Sequence, residues 1–340
     1  MNGYDRTLNF IKQKPIDRLP FHPIIMRFAA QYAEVSYRDF CLDYRSKCEA
    51  MVKCAQDFEI DWVTVMSDPY AEAEAYGMQI DYPVDDLPIP RHLLIKKPDD
   101  VNDLIFPAFE QSPRLINRVN EIARFKKLWG DTYFIVGWVE GPMACYANLR
   151  GFQSACMDLF DHPQTVSRAE DLFCRVSLDF IDRQIEAGAH CIGIGDAVCS
   201  QIGPEFYDQY GYPGEKHLVD FIHSRGALAK LHICGDVAAI LPKMIKTGAD
   251  IIDIDHAITG LDRFAPLLAE YQVFSGNSDP VSVIQDGSEE IIKESALRAC
   301  QESGGRCIIS AGCEITPDTS YQNLLILGNT SRNDWLELKK

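Results

Sequence analysis

No apolar run in this 340-residue chain approaches the roughly 18–20 residues that cross a bilayer, so a membrane span is not expected. The opening Met1-Asn2-Gly3-Tyr4-Asp5-Arg6 lacks the charged-then-apolar layout of a secretory leader, which makes the cytoplasm the expected location. Positive charge is also scarce. Lys and Arg number 33 against 50 Asp and Glu, a net charge of -17, and no basic footprint exists with which to hold a nucleic acid. Low-complexity tracts and a linker that would separate two domains are missing too. A 46% hydrophobic chain of this length can bury a large core, and one domain spanning residues 1–340 is expected.

Cysteine, by contrast, is plentiful. Twelve cysteines without a leader point to thiols and metal ligands rather than a disulfide framework. Most of them, such as Cys48, Cys54, Cys174 and Cys300, fall in helix-like stretches and read as small buried hydrophobes.

Strand-like and helix-like segments alternate along nearly the whole chain. Strand-like runs occupy residues 20–26, 62–66, 133–139, 191–195, 227–233, 251–254, 272–275 and 307–310. Amphipathic stretches at 45–58, 163–187, 213–223, 238–247 and 288–302 are long enough to be crossover helices. Eight strands with helices between them predict an α/β fold of the (β/α)8 barrel type, with an N-terminal helical extension. The second and third runs are separated by an insertion whose segment 82–90 reads as an irregular excursion over the active-site face.

Barrel enzymes build their sites at the C-terminal ends of the strands. The polar residues at those ends are Arg27, Asp68, Glu140, Asp196, His232 with Cys234, Asp255 with His256, Asn277 and Cys313. His232 and Cys234, two apart on one strand, project the same way, and Cys313 at the last strand supplies a third ligand. Three protein ligands leave a coordination position open for substrate, the pattern of catalytic rather than structural zinc. The glycines beside the cysteines, Gly235 and Gly312, relieve crowding where backbone and ligand approach. The residues alone also allow another reading, in which His232 is a core histidine and the two cysteines are buried thiols.

The His232-Ile233-Cys234 motif, the later Gly312-Cys313-Glu314-Ile315-Thr316-Pro317-Asp318-Thr319, and Ser275-Gly276-Asn277-Ser278-Asp279-Pro280 resemble the uroporphyrinogen decarboxylase superfamily. More narrowly, they are similar to its zinc-dependent, corrinoid-linked methyltransferase branch, and the resemblance runs from about residue 6 to 327. Two departures separate the chain from the decarboxylases. Met26-Arg27-Phe28-Ala29-Ala30-Gln31-Tyr32 keeps one of the two arginines of the decarboxylase stretch, and Gly312-Cys313-Glu314 stands where a Gly-His-Gly is expected, a soft metal ligand replacing a substrate contact.

The resemblance implies a zinc-dependent methyltransferase that exchanges a methyl group with the cobalt of a corrinoid. No Asp-x-His-x-x-Gly cobalamin motif is present, so a separate corrinoid protein is the expected partner; a homodimer is expected on family grounds. The other partner is a small-molecule methyl donor or acceptor. Phe21, Phe28, Tyr32, Tyr37, Phe40 and Tyr70 crowd the first two strands and would form a slot for a methoxyaromatic ether, the leading expectation. A thiol acceptor of the coenzyme M type, porphyrinogen decarboxylation and a non-catalytic partner-binding barrel are the alternatives. Expected site residues are His232, Cys234 and Cys313 on the metal; Glu140 and Asp68 in catalysis; and Arg27, Tyr32, Asn277 and His256 on the substrate. Asp236 is expected to cap a helix or to support His232 from behind.

Overall fold

The computed structural model describes residues 1–105 and 108–334. Among these residues nine strands occur in chain order: β1 Trp62–Thr64, β2 Ile80–Asp81, β3 Ile89–Pro90, β4 Phe134–Glu140, β5 Cys191–Gly195, β6 Leu228–Ile233, β7 Ile251–Ile254, β8 Val273–Gly276 and β9 Cys307–Ile308. Seven of them form one parallel sheet in the order β1-β4-β5-β6-β7-β8-β9, while β2 and β3 pair antiparallel as a separate hairpin. Strands such as β4 are buried along their whole length, which is why they read as near-continuous apolar runs rather than alternating ones.

The sheet curls into a barrel, and the expected first strand is what closes it. Residues 20–26 contribute isolated parallel pairings, Phe21 with Ile309 and Ile24 with Glu314, rather than a ladder. Pro20 and Pro23 explain the difference: neither has an N–H to give, so the run cannot be paired continuously. Its remaining bonds reach both neighbours, with Asp61 N donating to Phe21 O (3.0 Å) and His22 N donating to Ile309 O (2.9 Å). The buried Asp61 carboxylate reinforces the seam, accepting from Phe21 N (2.8 Å) and Arg18 (2.9 Å) and pairing with Arg6.

Helices pack outside. Helix Pro163–Glu186 starts with proline at its first turn and buries Val166, Ala169, Phe173, Val176, Phe180 and Ile181, the three-to-four spacing of a core-facing stripe. Helices Pro113–Trp129, Tyr212–Ser224, Leu241–Lys246 and Glu289–Glu302 make further crossovers, the third shorter than its expected 238–247. Short 3-10 turns replace a helix between β7 and β8. The N-terminal helix Gly3–Ile11 is capped by Asn2.

The insertion between β1 and β4 is more ordered than its sequence suggested, since β2 and β3 make a hairpin out of residues 80–90. It is tied beside the barrel mouth, with Val84 O accepting from Arg38 N (2.9 Å) and Asp85 accepting from Tyr37 N (3.3 Å). None of the helices in the described residues is long and apolar enough to cross a membrane.

Candidate metal centre

Strand register decides which side chains meet. Glu140 on β4, Gly195 on β5, His232 on β6, Asp253 on β7 and Ser275 on β8 are successive partners along one row. Partners in a parallel sheet share a face, and the His232–Asp253 contact shows that this face is the barrel interior. His232 therefore points inward from the last turn of pleat before β6 ends, and Cys234 follows two positions later.

Cys313 completes the cluster from the segment after β9. His232 Nε2 lies 2.9 Å from Cys234 Sγ, and the two sulfurs are 3.6 Å apart. All three ligand atoms fall within 4.8 Å of one another. Two thiolates about 2.3 Å from a tetrahedral zinc ion would sit about 3.8 Å apart, so the donor set and the sulfur spacing both fit zinc. Gly312 brings the third ligand in: a Cβ there would meet His256 N at 2.5 Å, so only glycine lets this turn press against the β7 loop. Gly235, at φ +89, makes the turn after Cys234.

The electrostatics split the two thiols: the hydrogen bond to Cys313 and burial push the Cys234 thiol well up. A hydrogen bond from Cys234 lowers the Cys313 thiol to about 5, against burial and with help from His232. Burial works against protonation of His232, yet the Asp253 carboxylate and Cys313 outweigh it and raise the imidazole to about 10. Asp253 Oδ2 stands 2.9 Å from His232 Nδ1, which leaves Nε2 as the metal-facing nitrogen. Asp253, rather than Asp236, is thus the carboxylate behind His232. Asp236 accepts from Ala238 N (3.0 Å) in the following turn.

The other expected site residues divide. Glu140 is buried in the same row, its Oε1 accepting from Trp138 Nε1 (2.9 Å), and its backbone N donates to Glu72 (3.0 Å). Burial and the neighbouring Glu72 push its carboxyl well above the usual range. Between Glu140 and His232 the row holds Gly195, where any Cβ would strike Trp138 at 2.6 Å, so the indole floors the gap between them.

Asp68 is committed to an ion pair with Arg114 and to bonds from Ser67 (2.7 Å) and Tyr70 N (3.0 Å). Burial would raise its carboxyl, but Arg114 and Arg118 prevail and lower it, so it anchors the mouth as a carboxylate. Asn277, at φ +77, spends its amide on Asp255 O (3.1 Å) and Ile258 O (2.7 Å). Asp255 in turn accepts from Gly235 N (2.7 Å), so these two residues shape the loops around the ligands. His256 sits half-exposed at the rim, 2.6 Å from Asp255 and 3.5 Å from Asp279. Asp196 faces outward from the barrel interior and accepts from Ala144 N (2.6 Å).

Arg27 opens the helix Arg27–Tyr32, and its backbone N donates to Glu314 (2.9 Å), the residue after Cys313. Its guanidinium makes no ion pair among the described residues. It lines a cavity of about 340 Å³ together with Gln31, Glu34, Ser36, Tyr37 and Asp85. Tyr32 turns the other way: its hydroxyl donates to Asp57 (2.9 Å), and its ring packs with Phe28, Phe58 and Tyr321. Phe21, Phe28 and Phe40 are fully buried core, whereas Tyr37 lines the cavity beside Arg27 and Tyr70 is half-buried.

A model of the uroporphyrinogen decarboxylase family matches residues 2–333. The chain belongs to the uroporphyrinogen decarboxylase family. It is 25% identical to the methylcobamide:CoM methyltransferase MtbA of Methanosarcina mazei over 339 residues, covering 97% of each chain. It is 26% identical to the uroporphyrinogen decarboxylase of Prochlorococcus marinus, covering 96% of this chain and 95% of that one. A solved methyltransferase from Methanosarcina mazei superposes with a TM-score of 0.88 at 20% identity, over 99% of both chains. That likeness bears on the fold, an α/β barrel of the family's type.

Asp253 and Lys230 are the site residues that sequence reasoning missed. Each is a charged residue inside an otherwise apolar strand, Ile251-Ile252-Asp253-Ile254 and Leu228-Ala229-Lys230-Leu231. A charge buried there needs a partner, and Lys230 stands two positions from His232 on the same face. That parity was the available signal.

Proposed function

We propose that this family member is a zinc-dependent methyltransferase that moves a methyl group between a corrinoid carried by a separate protein and a small thiol. The carrying observation is the convergence of His232, Cys234 and Cys313, with ligand atoms within 4.8 Å, at the mouth of the barrel. Relatives named as methylcobamide:CoM methyltransferases support the same reading.

When bound by two thiolates and one imidazole, zinc supplies a Lewis acid that lowers the pKa of a thiol. The chain's own residues provide the rest. Glu140, in the same interior row across Gly195 from His232, is the carboxyl that would relay the proton the thiol releases. Arg27 offers an unpaired guanidinium beside the metal loop for an anionic head group on the thiol. The buried Trp138 indole fills the floor of the site beside Gly195. In the transfer the thiolate sulfur bonds the methyl carbon, the cobalt–carbon bond breaks, and its electron pair stays on cobalt as Co(I).

Burial of Phe21, Phe28 and Phe40, with Tyr32 turned to Asp57, takes four of the six aromatics away from the slot a methoxyaromatic donor would use. Decarboxylation is disfavoured by the cysteine at 313, a metal ligand where a substrate contact is expected. The test is optical. Zinc-loaded protein mixed with methylcobalamin and 2-mercaptoethanesulfonate should produce the cob(I)alamin bands under anaerobic conditions. Conversion of cob(I)alamin to methylcobalamin with methoxyaromatics, and silence with thiols, would replace the thiol by an ether. Silence in both mixtures would overturn methyl transfer.

A further inference from the structure

Behind the metal ligands the barrel holds a charge that the methyl-transfer reading does not use. Lys230 and His232 lie two residues apart on β6 and project from the same face into the barrel. Lys230 Nζ is 2.9 Å from Asp253 Oδ2, and His232 Nδ1 is 2.9 Å from that same oxygen. Side-chain exposures are 2%, 1% and 5% for Lys230, Asp253 and His232, so water does not screen this chain of contacts.

The surroundings leave Lys230 as the cation in charge of Asp253. His22 is the other basic group nearby, stacked on Trp62 with ring centroids 4.1 Å apart. Burial and the Lys230 ammonium both drive His22 toward its neutral form. Lys230 itself stands 5.7 Å from the Trp62 ring centroid, an apolar wall that offers no competing anion. A lysine and an aspartate of this kind could serve stability alone, one neutralising the other. Sharing a single oxygen with His232 gives the pair a second consequence.

We propose that Lys230 is a positioning residue that sets the donor strength of His232 toward the metal, by drawing off part of the charge that Asp253 would otherwise direct at Nδ1–H. A carboxylate hydrogen-bonded to Nδ1–H makes the imidazole a stronger donor. An ammonium on the same oxygen weakens that push. The metal then retains more positive charge with which to acidify a bound thiol. This inference rests on the zinc reading of the cluster, though not on the identity of the methyl donor or acceptor.

The test is a double-mutant cycle read as zinc affinity, by competition with a chromophoric chelator on the full chain. Asp253→Asn should weaken zinc binding by about 10–100-fold. Lys230→Met should tighten it by about threefold or more, because the Asp253 charge is then fully available to His232. In the Asp253→Asn background, Lys230→Met should change affinity by less than about twofold, since the ammonium acts through the carboxylate. A merely structural lysine gives the opposite sign: Lys230→Met would loosen the site and weaken zinc, which overturns the proposal. An equal Lys230→Met effect with and without Asp253 also overturns it. If Lys230→Met does not fold, Lys230→Gln, which keeps a hydrogen-bond donor without the charge, carries the same signed expectation. Failure of the unaltered protein to bind zinc would instead overturn the metal reading itself.

Discussion

Cys313 brings its sulfur to 3.6 Å from that of Cys234, a residue 79 positions earlier, and the barrel makes this contact rather than any local turn. The last strand is followed directly by the Cys313 segment, and Gly312 allows it to press against the β7 loop. Loss of either cysteine therefore removes a ligand without disturbing the strands that carry the fold.

The purified protein should contain about one zinc per chain, as a three-ligand catalytic site requires. Cys313→Ala should lose the metal while keeping the far-ultraviolet circular dichroism of the unaltered protein, because β9 and its helices do not depend on the thiol. Elemental analysis after gel filtration makes the comparison. Retention of full zinc in the variant would remove Cys313 from the ligand set.

Arg27→Ala should raise the KM for 2-mercaptoethanesulfonate by about 10–100-fold, the usual scale for losing a charged hydrogen bond. An uncharged thiol such as 2-mercaptoethanol should be affected by less than about threefold, because it has no anionic head to lose. Steady-state kinetics with both thiols decide the matter. Equal losses for the two would mean that Arg27 acts on the metal loop through Glu314 instead.

Asp61→Ala should destabilise the protein by about 3–5 kcal/mol, since it leaves Arg18 without a carboxylate and Arg6 with Asp17 alone at a buried seam. The closing segment at Phe21 loses the carboxylate that accepts its N–H, so the barrel opens where its strand pairing is weakest. Urea unfolding followed by tryptophan fluorescence measures the change. A variant as stable as the original would show that the isolated pairings close the barrel unaided.

His190 supplies a pH dependence of defined sign. Burial first, and then Lys126, lower its imidazole from 6.5 to about 4, with Asp131 offsetting part of the shift. The folded value is the lower one, so the unfolded chain takes up the proton first as pH falls. Stability present above pH 6.5 is therefore lost between about 6.5 and 4, by roughly 1–3 kcal/mol for this group. His190→Gln should flatten the unfolding free energy across that window relative to the unaltered protein. An unchanged slope would mean that other groups dominate acid unfolding.

Much of the barrel was legible because strands buried on both faces leave apolar runs, and crossover helices leave a three-to-four stripe. Residues 191–195 and 251–254 were read with their observed bounds for that reason. The first strand was over-read: its apolar residues are present, but Pro20 and Pro23 withhold the donors that a ladder needs. The metal ligands were legible from parity along β6 and from residue chemistry. Asn277 stands at a strand end and Tyr32 among the aromatics near the first strand, yet in the fold both turn to structural partners.

The sequence by itself determined the α/β alternation, the acidic balance and the pairing of His232 with Cys234, because periodicity and residue chemistry are local properties. Tertiary structure alone decided that Cys313 meets them, that Asp253 rather than Asp236 stands behind His232, and that Lys230 shares its oxygen. These contacts arise between neighbouring strands whose register is set by closing the barrel, and register is a relation between distant segments that no single stretch of chain encodes.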